Sequence, residues 1–567
     1  MVFFILWNNI CLIFVTIRNN KTMKKIKRFG IVTVLITILT LTASFKSDFF
    51  EIAKQIEIYT AVFKELNMYY IDEINPSQLT SEAINQSLKN LDPYTRYFDE
   101  QGVEDAKIKR RGSYGGIGAS SSFINKELFI REVYEGTPSQ KAGLKAGDQI
   151  LKIDDVWVKD YEGKAINSLL KGLPDTKVNV KVNRNGEKID IEITRNKIEV
   201  DPIPFYQMID DEVGYMAFIK FNQKASSRVK EVYEDLKNEG MKKLIIDVRG
   251  NPGGLLNEVV KIVNYFVPKN QIVVTTRSKV KKWSTTYKTL NDPIDLEIPI
   301  VILINDRSAS ASEILSGALQ DLDRAVVIGE RSFGKGLVQR YRKLPYGTQM
   351  KLTISKYYTP SGRCIQELDY TNRDLKTGIV PKFDLKKRNM FKTLNGRKVY
   401  DGGGVEPDIT IEKPAKTIAT KALFKSDAIF KFATDYQYSN KTIANAKEFE
   451  LTNTEYDNFI SFIKTNETSF KIKAEKSFEE AFKEAEKENY STDIKSSYNQ
   501  LLEAVKTKKI AELNINKDEI LKHISDEILK QYYYKKGMYQ NKFTHDDVIK
   551  TAANLLNNEK KYYKILK

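Results

Sequence analysis

The chain has 567 residues, length enough for about four domains, so burying a large core presents no difficulty. Its 91 lysines and arginines against 74 aspartates and glutamates leave a net charge of +17. No zinc-finger spacing, ribonucleoprotein aromatic signature or long basic run accompanies that excess, so it reads as a solvated lysine-rich surface and not as a nucleic-acid interface. The two cysteines, Cys11 and Cys364, exclude a disulfide framework and a cysteine-rich zinc site.

From Met23 the sequence MKKIKRFGIVTVLITILTLTASFKS gives a basic start, a short apolar run and small residues up to Ser44. That is the layout of a secretory signal, and the run is short for a membrane span. It predicts an exported protein, in the periplasm or at the periplasmic face of the inner membrane of a bacterium. The apolar stretch before Met23 is either an extension from an upstream start codon or part of an uncleaved anchor, so residues 1–45 are assigned as signal peptide or anchor.

Residues 46–110 are predicted as an N-terminal helical region, because DFFEIAKQIEIYTAVFKELNMYY places apolar residues three and four apart. This segment is a candidate for pairing subunits in a homo-oligomer. LDPYTRYF breaks the pattern at 91–98. Residues 111–200 hold the glycine loop SYGGIGASS and alternating strands such as ELFIREVY and KVNVKVNR. In 201–413 short apolar strands (VGYMAFIKF, KKLIIDVRG, IPIVILIND, RAVVIGE) alternate with helical runs, which predicts an α/β layer on a largely parallel sheet. Residues 414–567 are lysine- and glutamate-rich, nearly free of glycine and proline, and read as a helical appendage. Within it QYYYKKGMYQ is taken as the tyrosine face of an amphipathic helix and not as a stacking platform for bases.

Four segments carry chemistry. In NDRSASASEILSGALQ, Ser308, Ser310 and Ser312 stand at a strand-to-helix turn, where unpaired N–H groups and the positive end of the helix dipole favour developing negative charge. A capping serine is the ordinary reading of such a turn. If one of them is a nucleophile it needs a base, and both histidines, His523 and His545, lie far downstream. A buried, neutral lysine serves instead, and Lys335 in GERSFGKGLVQR stands between two glycines. Gln339, four residues on, lies roughly 13 Å from it along a straight strand. A role in orienting Lys335 therefore predicts a bent or helical segment. DVRGNPGG places Gly253 and Gly254 where a backbone amide completes an oxyanion hole with the amide of Ala311. YGGIG (Gly115, Gly116, Ile117, Gly118) reads as an amide nest for a terminal carboxylate, beside which a peptide adds as a strand.

Residues 113–198 resemble a PDZ domain. Residues 91–409 resemble the C-terminal processing peptidases, or tail-specific proteases, through GGIGA, GTPSQKAGLKAGDQI, DVRGNPGG, SASASEILSGALQD, GERSFGKGLVQ, YYTPSGRCIQ and GGGVEPDI in that order. The resemblance implies a crotonase/ClpP-like α/β protease core with an inserted PDZ domain. It implies Ser310 as nucleophile, Lys335 as general base, Gln339 as the residue orienting it, and an oxyanion hole from Ala311 with Gly253 or Gly254. No metal or cofactor is implied. The expected partners are protein or peptide substrates held by their C-termini, with inner-membrane association through the N-terminus. A trypsin-like protease needs a core histidine and is set aside. The competing reading is an inert PDZ scaffold or holdase. The stretch 366–401 is longer than the minimal family pattern and is a candidate to cover the cleft or to bind a partner.

Overall fold

The computed structural model describes residues 48–160, 164–374, 377–412, 414–466 and 470–567. The predicted signal or anchor lies outside them. The chain divides into two units, Met1–Ser87 and Leu88–Lys567. In the first, the predicted helical stretch is two helices, Asp48–Tyr69 and Pro76–Lys89, the second running past the boundary.

The second unit is built on a six-stranded sheet in the order Phe205–Met208, Val213–Ala217, Lys243–Asp247, Ile300–Ile304, Val326–Gly329, Ile409–Thr410. Its first pairing is antiparallel and the other four are parallel, as the strand–helix alternation predicts. The central strands are buried on both sides, and successive residues enter different cores. Met216, Ile246, Ile302 and Val327 point into the core that includes residues of the crossover helices Ala225–Asn238, Leu256–Asn264 and Ala311–Asp321. Tyr215, Ile245, Val301, Leu303 and Ile328 point to the opposite face.

That opposite face corrects the reading of the tail as an appendage. Among the described residues no crossover helix contributes to its core. It is covered instead by tail side chains including Phe432, Phe459, Ile524, Ile528, Ile549 and Leu556, all part of the same core. The tail is the third layer of an α/β/α stack, and its apolar periodicity is the imprint of the sheet it lies on. Its terminal helix Glu559–Leu566 brings Tyr562 onto strand Ile300–Ile304, where the hydroxyl donates to the Ile300 carbonyl (3.0 Å) and accepts from the Ile300 amide (2.9 Å).

A second sheet joins Arg96–Phe98, Gln349–Tyr358, Ile272–Ser278 and Thr285–Lys288, with Leu337–Lys343 paired to Gln349–Tyr358. The PDZ-like part is a separate sheet with its own core of Leu128, Ile130, Ile150, Val180 and Val182. In this sheet Ala119–Ile124 is one edge strand and Glu187–Thr194 the other. The 366–401 stretch turns back in the hairpin Met390–Lys392/Lys398–Tyr400 and docks on the far end of helix Ala311–Asp321. There the Leu394 amide donates to the Asp321 carbonyl (2.8 Å) and Arg397 pairs with Asp323 (2.6 Å). It braces that helix and contributes nothing to the lining of the cleft.

Candidate active site

The three serines part company by side. Ser308 and Ser312 are fully buried: Ser308 Oγ donates to the Val248 carbonyl (2.8 Å), and Ser312 Oγ to the Asn251 carbonyl (2.9 Å). They tie the serine turn to the glycine turn. Ser310, between them, lines an open cavity of about 880 Å³. Its backbone is held at φ 58°, ψ −112°, left-handed space that an L side chain avoids at a cost of about 1–3 kcal/mol. Two contacts hold it there: its amide donates to Glu313 Oε2 (2.7 Å) and its carbonyl accepts from the Tyr357 hydroxyl (3.1 Å). Ala311 opens the helix, so its amide is one of the N–H groups no helical carbonyl can reach.

Glu313 is the residue that sequence reasoning missed. It is fully buried and takes four donors: the Ser310 amide, Ser332 Oγ (2.6 Å), the Gly334 amide (2.7 Å) and the Lys335 amide (2.9 Å). One carboxylate thus fixes the backbone of both the serine turn and the lysine loop. Burial pushes its carboxyl up to about 7, and the four donors pull the other way. The Ser-x-x-Glu spacing of a capping box was the signal available in the sequence.

The glycine turn is built around Asn251, also fully buried. Its Nδ2 donates to the Phe218 carbonyl (2.8 Å), its Oδ1 accepts from the Gly253 amide (2.9 Å), and its carbonyl accepts from the Ala309 amide (3.0 Å). Gly253 (φ 91°) lies so close to the serine turn that a Cβ there would stand 2.5 Å from the Ala309 oxygen and 2.7 Å from the Ala311 nitrogen. The Gly253 amide is thus occupied by Asn251, which leaves the Gly254 amide as the other candidate in the turn.

Lys335 lines the same cavity. Its Nζ stands 4.2 Å from the centre of the Tyr94 ring and makes no ion pair among the described residues. Burial is the main force lowering its ammonium to about 8, Lys351 adds to it, and Glu313 and Asp92 oppose it. In this arrangement the amine rests on Tyr94, and no hydrogen bond joins it to Ser310. Gln339 departs from expectation. It lies not on a bend or helix but in strand Leu337–Lys343, next to a β-bulge, and its Nε2 donates to Thr353 Oγ1 (3.2 Å) and not to Lys335. Thr353 in turn donates to Asp92 (3.1 Å). Pairing with Gln349–Tyr358 holds the segment extended and keeps residues 335 and 339 apart.

Neither histidine belongs to this cavity. His523 and His545 line a separate cavity of about 790 Å³ beside the tail, where burial lowers His523 to about 4.

In the PDZ-like part, Gly115 and Gly116 do not form an open nest. They are strand residues paired with Lys197 and Asn196. Ile117 is buried and Gly118 turns the chain at φ 81° into strand Ala119–Ile124. Ser121 on that strand donates to Asn167 (3.2 Å) in the short helix Lys164–Leu170, which thus lies beside an edge strand of the sheet.

A strained serine at a helix start, a desolvated lysine in the same cleft and a separate edge-strand module define a serine hydrolase carrying a peptide-binding domain. Comparison with known proteins agrees. The chain matches the model of peptidase family S41 over residues 212–382, a PDZ domain over 115–194, and the C-terminal helical domain of a probable PDZ-protease over 419–556. It is 34% identical over 327 residues to the carboxy-terminal-processing protease of Bartonella bacilliformis, covering 56% of this chain and 74% of that one. It is 32% identical over 361 residues to a probable CtpA-like serine protease of Staphylococcus aureus, covering 62% of this chain and 64% of that one. The solved photosystem II D1 C-terminal processing protease is 26% identical and aligns over 61% of this chain and 85% of that one at a TM-score of 0.35. The chain belongs to peptidase family S41, the carboxy-terminal-processing serine proteases.

Proposed function

We propose that this chain is an exported endopeptidase that takes protein substrates by their C-terminal tails and cleaves them through an acyl-enzyme on Ser310. The observation that carries the reading is the shared cleft. Ser310 alone of its three serines faces it, and Lys335 enters it with an amine made easier to deprotonate by burial. In the first half-reaction Ser310 Oγ attacks the scissile carbonyl carbon while its proton passes to neutral Lys335. The oxyanion is held by the amides of Ala311 and Gly254. The lysine then protonates the leaving amine, and water activated by the same amine releases the acyl group and restores the serine. The mechanism requires the lysine side chain to leave its seat on Tyr94.

The edge strand Ala119–Ile124 supports addition of a substrate tail as a further strand, with the Ile117–Gly118 turn at the strand's start. Export rests on the basic and apolar residues after Met23, as does association with the inner membrane. No helix among the described residues is long and apolar enough to cross a membrane. Self-association rests on Ile52, Ile56 and Leu66, exposed along helix Asp48–Tyr69.

A fluorophosphonate probe tests the chemistry. Wild type should be labelled and should release an N-terminal fragment from a peptide ending in an apolar tail. Ser310→Ala should lose the label and several orders of magnitude in turnover. Equal labelling of both proteins would remove Ser310 from the mechanism.

A further inference from the structure

The cavity that holds Ser310 and Lys335 is walled by cations. Arg96, Lys109, Arg110, Lys220, Arg340 and Lys351 all line it, from five different elements or loops. The acidic residue in the lining is Asp105, and its carboxylate is taken by Lys171 at 2.7 Å. Among the described residues Lys109, Lys220 and Lys351 have no carboxylate partner.

Lys109 and Arg110 have an ordinary explanation, since both lie in the last turn of helix Glu100–Arg111, where cations complement the dipole. Arg96 and Lys351 have none. They sit directly opposite each other across antiparallel strands, a placement that costs stability for like charges. Lys351 and Lys220 are also partly buried. Burial lowers each ammonium below its ordinary value; Arg96 and Lys109 add to the effect at Lys351 while Asp92 opposes it there, and Lys109 adds to it at Lys220. The wall therefore gathers positive charge away from bulk water, and the carboxylate that acts on Lys351, Asp92, is already taken by the Tyr94 and Thr95 amides and the Thr95 and Thr353 hydroxyls. A ligand carboxylate is the group that would relieve both the repulsion and the desolvation. An extended peptide that reaches Ser310 must run past this wall.

Building on the serine-peptidase reading, we infer that the cleft selects acidic sequence: substrates carry aspartate or glutamate beside the bond that is cut, and Lys220, Lys351 and Arg96 receive those side chains. Discrimination arises in the cleft, independently of the tail held by the PDZ domain.

The test is a set of three peptides with one common C-terminal tail that differ in carrying Glu, Gln or Lys at the residues flanking the cut. At low ionic strength kcat/KM should fall from Glu to Gln by about tenfold and further to Lys, and the spread should narrow in high salt. Lys220→Gln should shrink the Glu-over-Gln ratio, and Lys220→Glu should turn the preference toward the Lys peptide. Serine labelling of each variant shows that its site is assembled. Equal cleavage of the Glu and Gln peptides by a labelled wild-type enzyme overturns the inference and leaves the peptidase standing. Failure of the wild type to be labelled or to cleave any of the three overturns both.

Discussion

At Ser310 and Lys335 the reactive atoms are ordinary and their surroundings are not. The serine is displayed because Glu313 and Tyr357 hold its backbone at a positive φ, while its two neighbours are turned inward. In the proposed mechanism the lysine serves as base because burial and Lys351 bring its ammonium down to about 8. The sign follows directly. The base is the unprotonated amine, so kcat/KM on a fluorogenic peptide should rise as pH climbs through about 8 and level above it. Glu313, with its carboxyl near 7, acts in the same direction, since protonation on the acid side removes acceptors from the serine turn and the lysine loop. Lys335→Arg keeps the charge and abolishes the base, so turnover should fall about 10²–10⁴-fold at every pH. A flat profile, or an arginine variant near wild type, would end this mechanism. Ser310 and Lys335 were legible because each stands in a short motif with a chemical reason. Glu313 was passed over because a glutamate in a helix's first turn is ordinarily a surface residue, and only tertiary packing shows that it joins two loops.

The glycine turn and the serine turn work as one element. Asn251 binds both, and Gly253 is the point where the two backbones nearly touch. Gly253→Ala forces a methyl group to within 2.5 Å of the Ala309 oxygen, so one turn must move. With an oxyanion amide displaced, kcat should fall by about 10²–10³ while KM stays close to wild type. Steady-state kinetics on one peptide checks this, and a change confined to KM would mean the turn binds substrate only. The strands of the core were readable from continuous apolar runs, and the turns from their glycines. The bend or helical turn that a contact between Gln339 and Lys335 requires is absent, and the segment is a strand. Pairing with Gln349–Tyr358 was decided by long-range contacts that a local window does not contain.

Over the whole molecule, what the sequence concealed most was the work of the tail. Amphipathic helices announce that they cover something but not what. Here they cover the bare face of a parallel sheet, and at one point they reach the chemistry. Asp546, which caps helix Asp547–Leu556, pairs with Arg249 Nη1 at 2.9 Å, and Arg249 in turn grips Asp247 at 2.6 Å just ahead of the glycine turn. Removing Asp546 leaves Arg249 on Asp247 but takes away its second carboxylate and the cap of the helix. Asp546→Ala should therefore lose about 1–3 kcal/mol in urea unfolding and lower kcat as well. A variant as stable and active as wild type would show that the contact is idle. The same tail also touches the PDZ-like part. Helix Lys517–His545 breaks at Tyr533 and Tyr534, the Tyr534 ring packs on the PDZ core, and Lys535 pairs with Glu132 at 2.9 Å. One jointed rod thus has its elbow against the module that would read a substrate's end, and its tip beside the arginine that steadies the cutting site. Any movement of that module must therefore pull Tyr534 from its seat and part Lys535 from Glu132, or carry the helix with it.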